Sequence, residues 1–305
     1  MDSYTPISLP YFAPADELPA RLPTLEEVLA CTNLLQGFTN SRQTKIVRIG
    51  ESFVAKYGKE VKSIEGENML FVKQHTTIPI PQLYAMYTFG EGETMLIMEF
   101  IEGLPLRQCC KSITEPERLE AIAERLRAQV NELRQIPAPG YYGAIGRRPF
   151  TDLYRGCEYG PFDDFSDLVR TVFDLAFSSR TSELLIDIKE HYAETLDFVA
   201  TKLNHRYPVF SHGDLHSRNI IVRPDGEPVI IDYELAGFHP AFFEYTTSEK
   251  FGPEMDFLDE KFTNEEEILK DAADALEEST EGESSEEESS EDESSEDELS
   301  EDELA

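Results

Sequence analysis

The sequence predicts an α+β fold of two lobes, a small strand-rich lobe followed by a larger helical one, with a disordered acidic tail. Three observations carry this. The first hundred residues read as short strands with one helix inserted. After Gly103 the apolar residues fall into the three-to-four step of amphipathic helices. From Glu277 onward the chain is a low-complexity run of Ser, Glu and Asp. At roughly 100–200 residues per domain, a chain of 305 residues suits one or two domains.

The elements follow in order. Residues 1–23 are Pro-rich and aperiodic, an extended arm. Residues 24–103 make the first lobe. Thr24 caps a helix expected from Leu25 to about Leu35, with Glu27 completing a capping box. Lys45–Ile49 and Ser52–Tyr57 flank Gly50-Glu51 and read as a β-hairpin. Ile64–Gln74 reads as a helix that Pro79 and Pro81 bar from continuing. Leu83–Tyr87 and Thr94–Glu99 form a further strand pair across Gly90-Glu91-Gly92. Residues 104–276 make the second lobe. Glu115–Gln135 places Leu119, Ile122, Ala123, Leu126, Val130 and Leu133 on one helical face. Residues 137–161, rich in Gly, Pro and Tyr, read as a structured loop. Phe165–Phe177 and Ser182–Leu203 read as two helices. Ile220–Val222 and Pro228–Ile231 flank Arg223-Pro224-Asp225-Gly226, a hairpin turn. Residues 277–305 repeat a Ser-and-acid pentad from Ser284 to Glu303, and cannot bury enough apolar surface to offset their ordering entropy.

Composition excludes several functions. The net charge is -34, from 61 acids and 27 bases. The tail from Glu277 holds 16 of those acids and no base, which leaves 45 acids against 27 bases in the remainder. That balance opposes binding to a nucleic-acid backbone, which needs clustered Lys and Arg. No run of 18 apolar residues is present, so no membrane span is expected. Residues 1–23 carry acids and prolines where a signal peptide has a basic start and an apolar stretch. Cys31, Cys109, Cys110 and Cys157 give no C-x-x-C spacing, which fits a reduced, cytoplasmic protein without a zinc site. The near-terminal Asp302-Glu303-Leu304 lacks the Lys of an ER-retrieval ending.

The chemistry concentrates in Ser211-His-Gly-Asp-Leu-His-Ser-Arg-Asn-Ile-Ile221 and in Ile230-Ile-Asp-Tyr-Glu234. His212-x-Asp214-x-x-x-x-Asn219 has the spacing of a kinase catalytic loop. A carboxylate must orient the proton of an attacking hydroxyl, and an amide oxygen nearby must hold a metal on the nucleotide phosphates. A second carboxylate must reach that metal, and Asp232 stands at the end of the strand that returns from the hairpin turn. Earlier, Lys56 shares a strand face with Val54 and shortly precedes a helix bearing Glu65 and Glu67.

With His-Gly-Asp-Leu-x-x-x-Asn219 followed by Ile231-Asp-Tyr-Glu-x-Ala-Gly237, the chain resembles the aminoglycoside phosphotransferase and choline kinase-like enzymes, of the protein-kinase-like fold. The resemblance spans about residues 25–260 and is nearest to fungal-type members. Glu65–Val72, Ile78-Pro-Ile-Pro81, Met98–Gly103 and Gly160-Pro-Phe162 extend it. Protein kinases usually have Arg where Gly213 stands and Asp-Phe-Gly where Asp232-Tyr233-Glu234 stands. Relatives often have Trp at Tyr233 and at Phe243, and an aromatic ring persists at both.

The resemblance implies ATP and magnesium as cofactors. It implies Asp214 as catalytic base, Asn219 and Asp232 as magnesium ligands, and Lys56, paired with Glu65, against the α- and β-phosphates. Glu67 competes for that ion pair, and helical phase does not separate the two. Backbone groups of Glu99 and Ile101 would meet adenine at the hinge. No G-x-G-x-x-G precedes Lys56, and Gly37 and Gly50 are the only glycines between Ala30 and it. His212 braces the loop, Glu234 and Glu244 read as structural acids, and His216 has no assigned role. The expected activity is transfer of the γ-phosphate to a hydroxyl of a small molecule. Two alternatives remain open, a nucleotide-binding pseudokinase scaffold and a protein kinase. Retention of Lys56, Asp214, Asn219 and Asp232 opposes the first, and the lack of Asp-Phe-Gly and Ala-Pro-Glu opposes the second. Residues 104–205 should set the acceptor, and their acids hint at a cationic one. As a partner site, the tail would suit a basic protein, and its serines suit acidophilic kinases.

Overall fold

The strand-rich first hundred residues form one antiparallel sheet in the structure, a computed structural model that describes residues 4–35, 43–152, 155–181, 186–204, 206–247 and 261–281. Its strands are β1 (Tyr11–Phe12), β2 (Thr44–Ile49), β3 (Phe53–Gly58), β4 (Leu83–Phe89) and β5 (Glu93–Glu99), in the order β1-β4-β5-β3-β2. Alternation explains the pairing. Val47, Ala55, Ile97 and Ala85 stand in register across four strands and are all buried. Two helices accompany the sheet, α1 (Leu25–Ala30) and α2 (Ser63–His75).

Two sequence expectations change here. The arm is extended, but it is also an edge strand, because β1 pairs with β4 and the Ala13 N–H bonds the Tyr84 carbonyl. The α1 capping box forms as expected, with Thr24 and Glu27 bonding each other's backbone N–H. The helix then stops at Ala30 rather than Leu35. Beyond it the Leu35 N–H reaches the Ile46 carbonyl and the Arg48 N–H reaches the Asn33 carbonyl, so sheet pairing captures the second half. Gly37 lies outside the described residues.

The second lobe continues with β6 (Leu104–Pro105), α3 (Leu106–Ser112), α4 (Pro116–Arg134), the hairpin β7 (Phe150–Asp152) and β8 (Cys157–Tyr159), α5 (Phe165–Thr181) and α6 (Ile186–Lys202). Then come β9 (Pro208–Ser211), β10 (Ile220–Val222), β11 (Pro228–Ile230), β12 (Gly237–Pro240), α7 (Phe243–Thr247) and α8 (Thr263–Glu281). Pro116 opens α4, where a missing N–H costs nothing. The apolar face of α4 is buried as its spacing predicts: Ile122, Leu126 and Leu133 join Phe210 and Phe238 in the core. The hairpin β10–β11 forms across Arg223–Gly226, with the Gly226 N–H on the Arg223 carbonyl. Phe71, Phe210 and Phe238 meet in a cluster of rings, Phe210 and Phe238 with centroids 5.4 Å apart.

The chain divides into two compact units. Residues 1–168 and 205–262 form one, so the sheet and the segments from β9 to α7 belong together. The described residues of 169–204 and 263–281 form the other, in which α6 packs on α8. Helix α8 runs to Glu281, five residues past the point where the acidic tail was expected to begin. The pentad repeat itself and residues 182–185 of the expected second helix lie outside the described residues. No helix among the described residues is long and apolar enough to cross a membrane.

Candidate active site

Lys56 sits on β3, the inner neighbour of β5, and is buried. Its Nζ lies 2.7 Å from Asp232 Oδ1, across 176 residues of chain. It lies 2.8 Å from Glu65 Oε2, an ion-pair contact outside hydrogen-bond geometry, and 3.8 Å from Glu234 Oε2. The three carboxylates lie within 4.8 Å of one another, and the ammonium occupies their midst. Burial opposes the charge on Lys56, but Glu65, Asp232 and Glu234 outweigh it and hold the ammonium protonated, above the ordinary lysine range. Burial pushes Glu65 up to about 8 against the pull of Lys56, and the neighbouring Asp232 and Glu234 add to the rise. Burial also raises Glu234.

Glu65 therefore takes the ion pair that the sequence left open. Glu67, two residues on and near the opposite face of α2, points elsewhere, to Arg148 at 3.1 Å, to the Ser63 hydroxyl at 3.0 Å and to the Tyr4 hydroxyl. Helix α2 is fixed against the Asp232 segment by Asn68. Its buried amide donates to the carbonyls of Tyr233, at 2.7 Å, and Ala236, at 3.2 Å.

The catalytic-loop residues gather on the same side. Asp232 has φ +69, a left-handed conformation that costs a non-glycine residue energy and is found at functional sites. The Ile231 N–H bonds the Asn219 carbonyl at 2.9 Å, which binds the two strands of the hairpin at the site. Asn219 Nδ2 donates to Asp214 Oδ2 at 2.9 Å and to the Asp214 carbonyl at 3.0 Å. Burial favours the neutral form of Asp214. The His216 hydrogen bond and the Asn219 amide outweigh it and hold the carboxyl below the usual carboxylate range.

The supports of the loop match their expected roles. His212 Nδ1 accepts from the Asp214 N–H at 3.3 Å and Nε2 donates to the Ile231 carbonyl at 3.0 Å, a neutral tautomer assigned by these partners. Glu244 accepts from the backbone N–H groups of His212, at 2.6 Å, and Gly213, at 3.2 Å. Tyr233 is fully buried with its ring edge-on to His212, and Phe243 stacks on His239 with centroids 4.1 Å apart. Gly213 explains why this loop departs from the protein-kinase pattern. It has φ +85, and a Cβ there would lie 2.3 Å from the Leu235 carbonyl oxygen, so no Arg fits.

Lys56, Glu65, Glu99, Ile101, Asn219 and Asp232 all line one cavity of about 240 Å³. Val54, Met98, Ile221 and Ile231 give it apolar walls. At the hinge the Glu99 N–H bonds the Gln82 carbonyl at 2.8 Å, and its carboxylate pairs with Arg223 at 3.1 Å. The Ile101 N–H has no hydrogen-bond partner among the described residues. Two contributions were not legible beforehand. Glu234 belongs to the carboxylate set around Lys56 rather than being a structural acid alone. His216 Nε2 lies 3.3 Å from Asp214 Oδ2, and its place two residues after Asp214 was the available signal.

This geometry can be set beside known proteins. The model of the phosphotransferase enzyme family (APH) matches residues 38–254. The chain belongs to this family. It is a kinase-like phosphotransferase. Among solved structures, a thermostable mutant of aminoglycoside phosphotransferase APH(4)-Ia, in the apo form, is 17% identical at a TM-score of 0.51, covering 72% of this chain and 73% of that one. The GDP and kanamycin complex of APH(2")-IIia is 16% identical at a TM-score of 0.51, covering 82% of this chain and 86% of that one. The first enzyme in a ternary complex with ADP and hygromycin B matches at 16% identity and a TM-score of 0.51, with 73% of each chain covered. At these identities the likeness establishes the family's kinase-like fold. No curated protein matches the chain.

Proposed function

We propose that this member of the family moves the γ-phosphate of ATP to a hydroxyl of a small molecule. The observation that carries the reading is the meeting of Lys56 from the first lobe with Asn219 and Asp232 from the second at one cavity. Asp214 is attached to Asn219 at its edge. The similar structures with ADP and hygromycin B, or GDP and kanamycin, support a nucleotide and a small hydroxylated acceptor.

Each residue then has one task. The apolar walls and the Ile101 N–H and Glu99 carbonyl hold the base. Lys56, kept charged by its carboxylates, sets the α- and β-phosphates, and Glu65 keeps Lys56 in place. Asn219 and Asp232 fit a magnesium ion. Both offer hard oxygen donors, and the Asn219 nitrogen is committed to Asp214, which leaves its oxygen for a cation. Such an ion would neutralise phosphate charge. Asp214 orients the acceptor hydroxyl. As that oxygen bonds to the γ-phosphorus and the bond to the bridging oxygen of ADP breaks, the hydroxyl proton passes to the Asp214 carboxylate. The depressed pKa of Asp214 keeps it ionised and ready to accept.

Calorimetric titration of ATP with and without magnesium tests this. Binding should strengthen with magnesium, and Asp232→Ala should abolish the metal-dependent part. Negligible binding under both conditions would remove the phosphotransfer reading for this chain.

A further inference from the structure

Asp214 also faces a second cavity, of about 310 Å³, lined by Arg107, Asp214, Leu215, His216, Arg218 and Thr247. Its charge runs against that of the chain, which carries -34 overall. Asp214 is the one carboxylate among these lining residues, and Asn219 and His216 already engage it. Two arginines face it with no carboxylate partner among the described residues.

Arg107 lies at the start of α3, and its backbone N–H bonds the Ser217 carbonyl at 3.2 Å, which ties this helix to the catalytic loop. Its guanidinium makes no hydrogen bond or ion pair among the described residues. An Arg218 nitrogen lies 3.0 Å from His216 Nε2, the same atom that stands 3.3 Å from Asp214 Oδ2. One ring nitrogen cannot donate to the carboxylate and accept from the guanidinium together. With Nε2–H given to Asp214, Arg218 meets a donor and lacks an acceptor.

Several other cations of this lobe are matched. Arg147 pairs with Asp163, Arg148 with Glu67, Arg155 with Asp152 and Arg223 with Glu99. A larger cleft of about 470 Å³ beside Glu234 includes Lys59, Lys62 and Arg148; Glu158 and Glu67 pair with the last two, and Asp214 is not on its wall. The same pairs account for three of the acids of residues 104–205, the region whose acids hinted at a cationic acceptor. Asp152, Glu158 and Asp163 are spent on neighbouring bases. An arginine fork matches a carboxylate or phosphate in geometry as well as charge.

We propose that the acceptor carries an anionic group, a carboxylate or a phosphate, which Arg107 and Arg218 hold while its hydroxyl faces Asp214. This rests on the phosphotransfer reading above and reverses the acceptor charge expected from sequence.

The test uses the full chain loaded with AMP-PNP and magnesium, titrated separately with inorganic phosphate, D-glycerate and choline. Phosphate or D-glycerate should bind saturably and choline should not, and the stronger of the two anions identifies the group. Arg107→Gln/Arg218→Gln should weaken anion binding by at least about tenfold, the order expected for hydrogen bonds to charged groups. AMP-PNP affinity measured on the same variant reports folding and the nucleotide cavity. The proposal is overturned if neither anion binds, if choline binds better, or if the double variant binds the anions as wild type does. It is overturned as well if that variant loses AMP-PNP instead, for then the arginines serve the nucleotide. Should wild type fail to bind AMP-PNP, the phosphotransfer reading falls by itself, and the anion titrations repeated without nucleotide still decide the cavity's charge preference.

Discussion

Replacing Lys56 by Met keeps the length of the side chain and removes its charge. Three carboxylates, Glu65, Asp232 and Glu234, then face one another in a buried space with no cation among them. Removing one partner of a buried ion pair costs roughly 3–5 kcal/mol. At about 2–4 °C per kcal/mol for a domain of this size, the melting temperature should fall by about 6–20 °C. The fall should depend on pH, with a definite sign. Burial already raises Glu65 from 4.5 to about 8 in the folded protein. A carboxyl with a raised folded pKa contributes stability below its unfolded pKa and loses it as pH rises through the folded one. Without Lys56 the folded pKa rises further. Wild type and variant lose this stability alike between pH 4.5 and 8, so the added loss appears above pH 8, where only the variant goes on losing it. Melting curves at about pH 7 and about pH 10 for wild type, Lys56→Met and Lys56→Met/Glu65→Gln check this. The gap between the single variant and wild type should be wider at about pH 10 than at about pH 7, and the second substitution should restore much of the difference. An equal loss at both pH values, or no rescue by Glu65→Gln, would refute the charge argument and leave a packing defect as the cause.

Two further predictions follow from the catalytic loop. Asp214→Asn should lower turnover on the order of 10²–10⁴-fold while ATP affinity stays near wild type, because in the proposed mechanism the residue faces the acceptor, and an oriented base is worth about that much; basal ATP hydrolysis and calorimetry read the two quantities. Gly213→Ala should destabilise the protein by roughly 1–3 kcal/mol, since it forces a left-handed conformation on a side chain. Its Cβ would also meet the Leu235 carbonyl at 2.3 Å, so the melting temperature and turnover should fall together.

Much of the site was legible from the chain alone because its chemistry is local in sequence. Asp214 and Asn219 sit on one short loop, and a hairpin closed by Pro224, Asp225 and Gly226 returns the chain to Asp232. Hydrophobic alternation placed Lys56 on a strand, and helical spacing fixed the buried face of α4. These follow from backbone geometry and turn chemistry, which neighbouring residues set. Tertiary structure decided the rest. Helical phase allowed Glu65 or Glu67 to meet Lys56, and only the docking of α2 through Asn68 chose Glu65. The capping box started α1, but pairing of Asn33 and Leu35 with β2 ended it early. Helix α8 continued through Glu281, into residues that composition alone assigned to the tail. Glu234 joined the Lys56 cluster, and Arg107 came to the mouth of the catalytic loop more than a hundred residues later in sequence. Such contacts depend on which distant surfaces meet, and on which acids are left over once nearer bases have taken their partners. Local propensity carries no information about either.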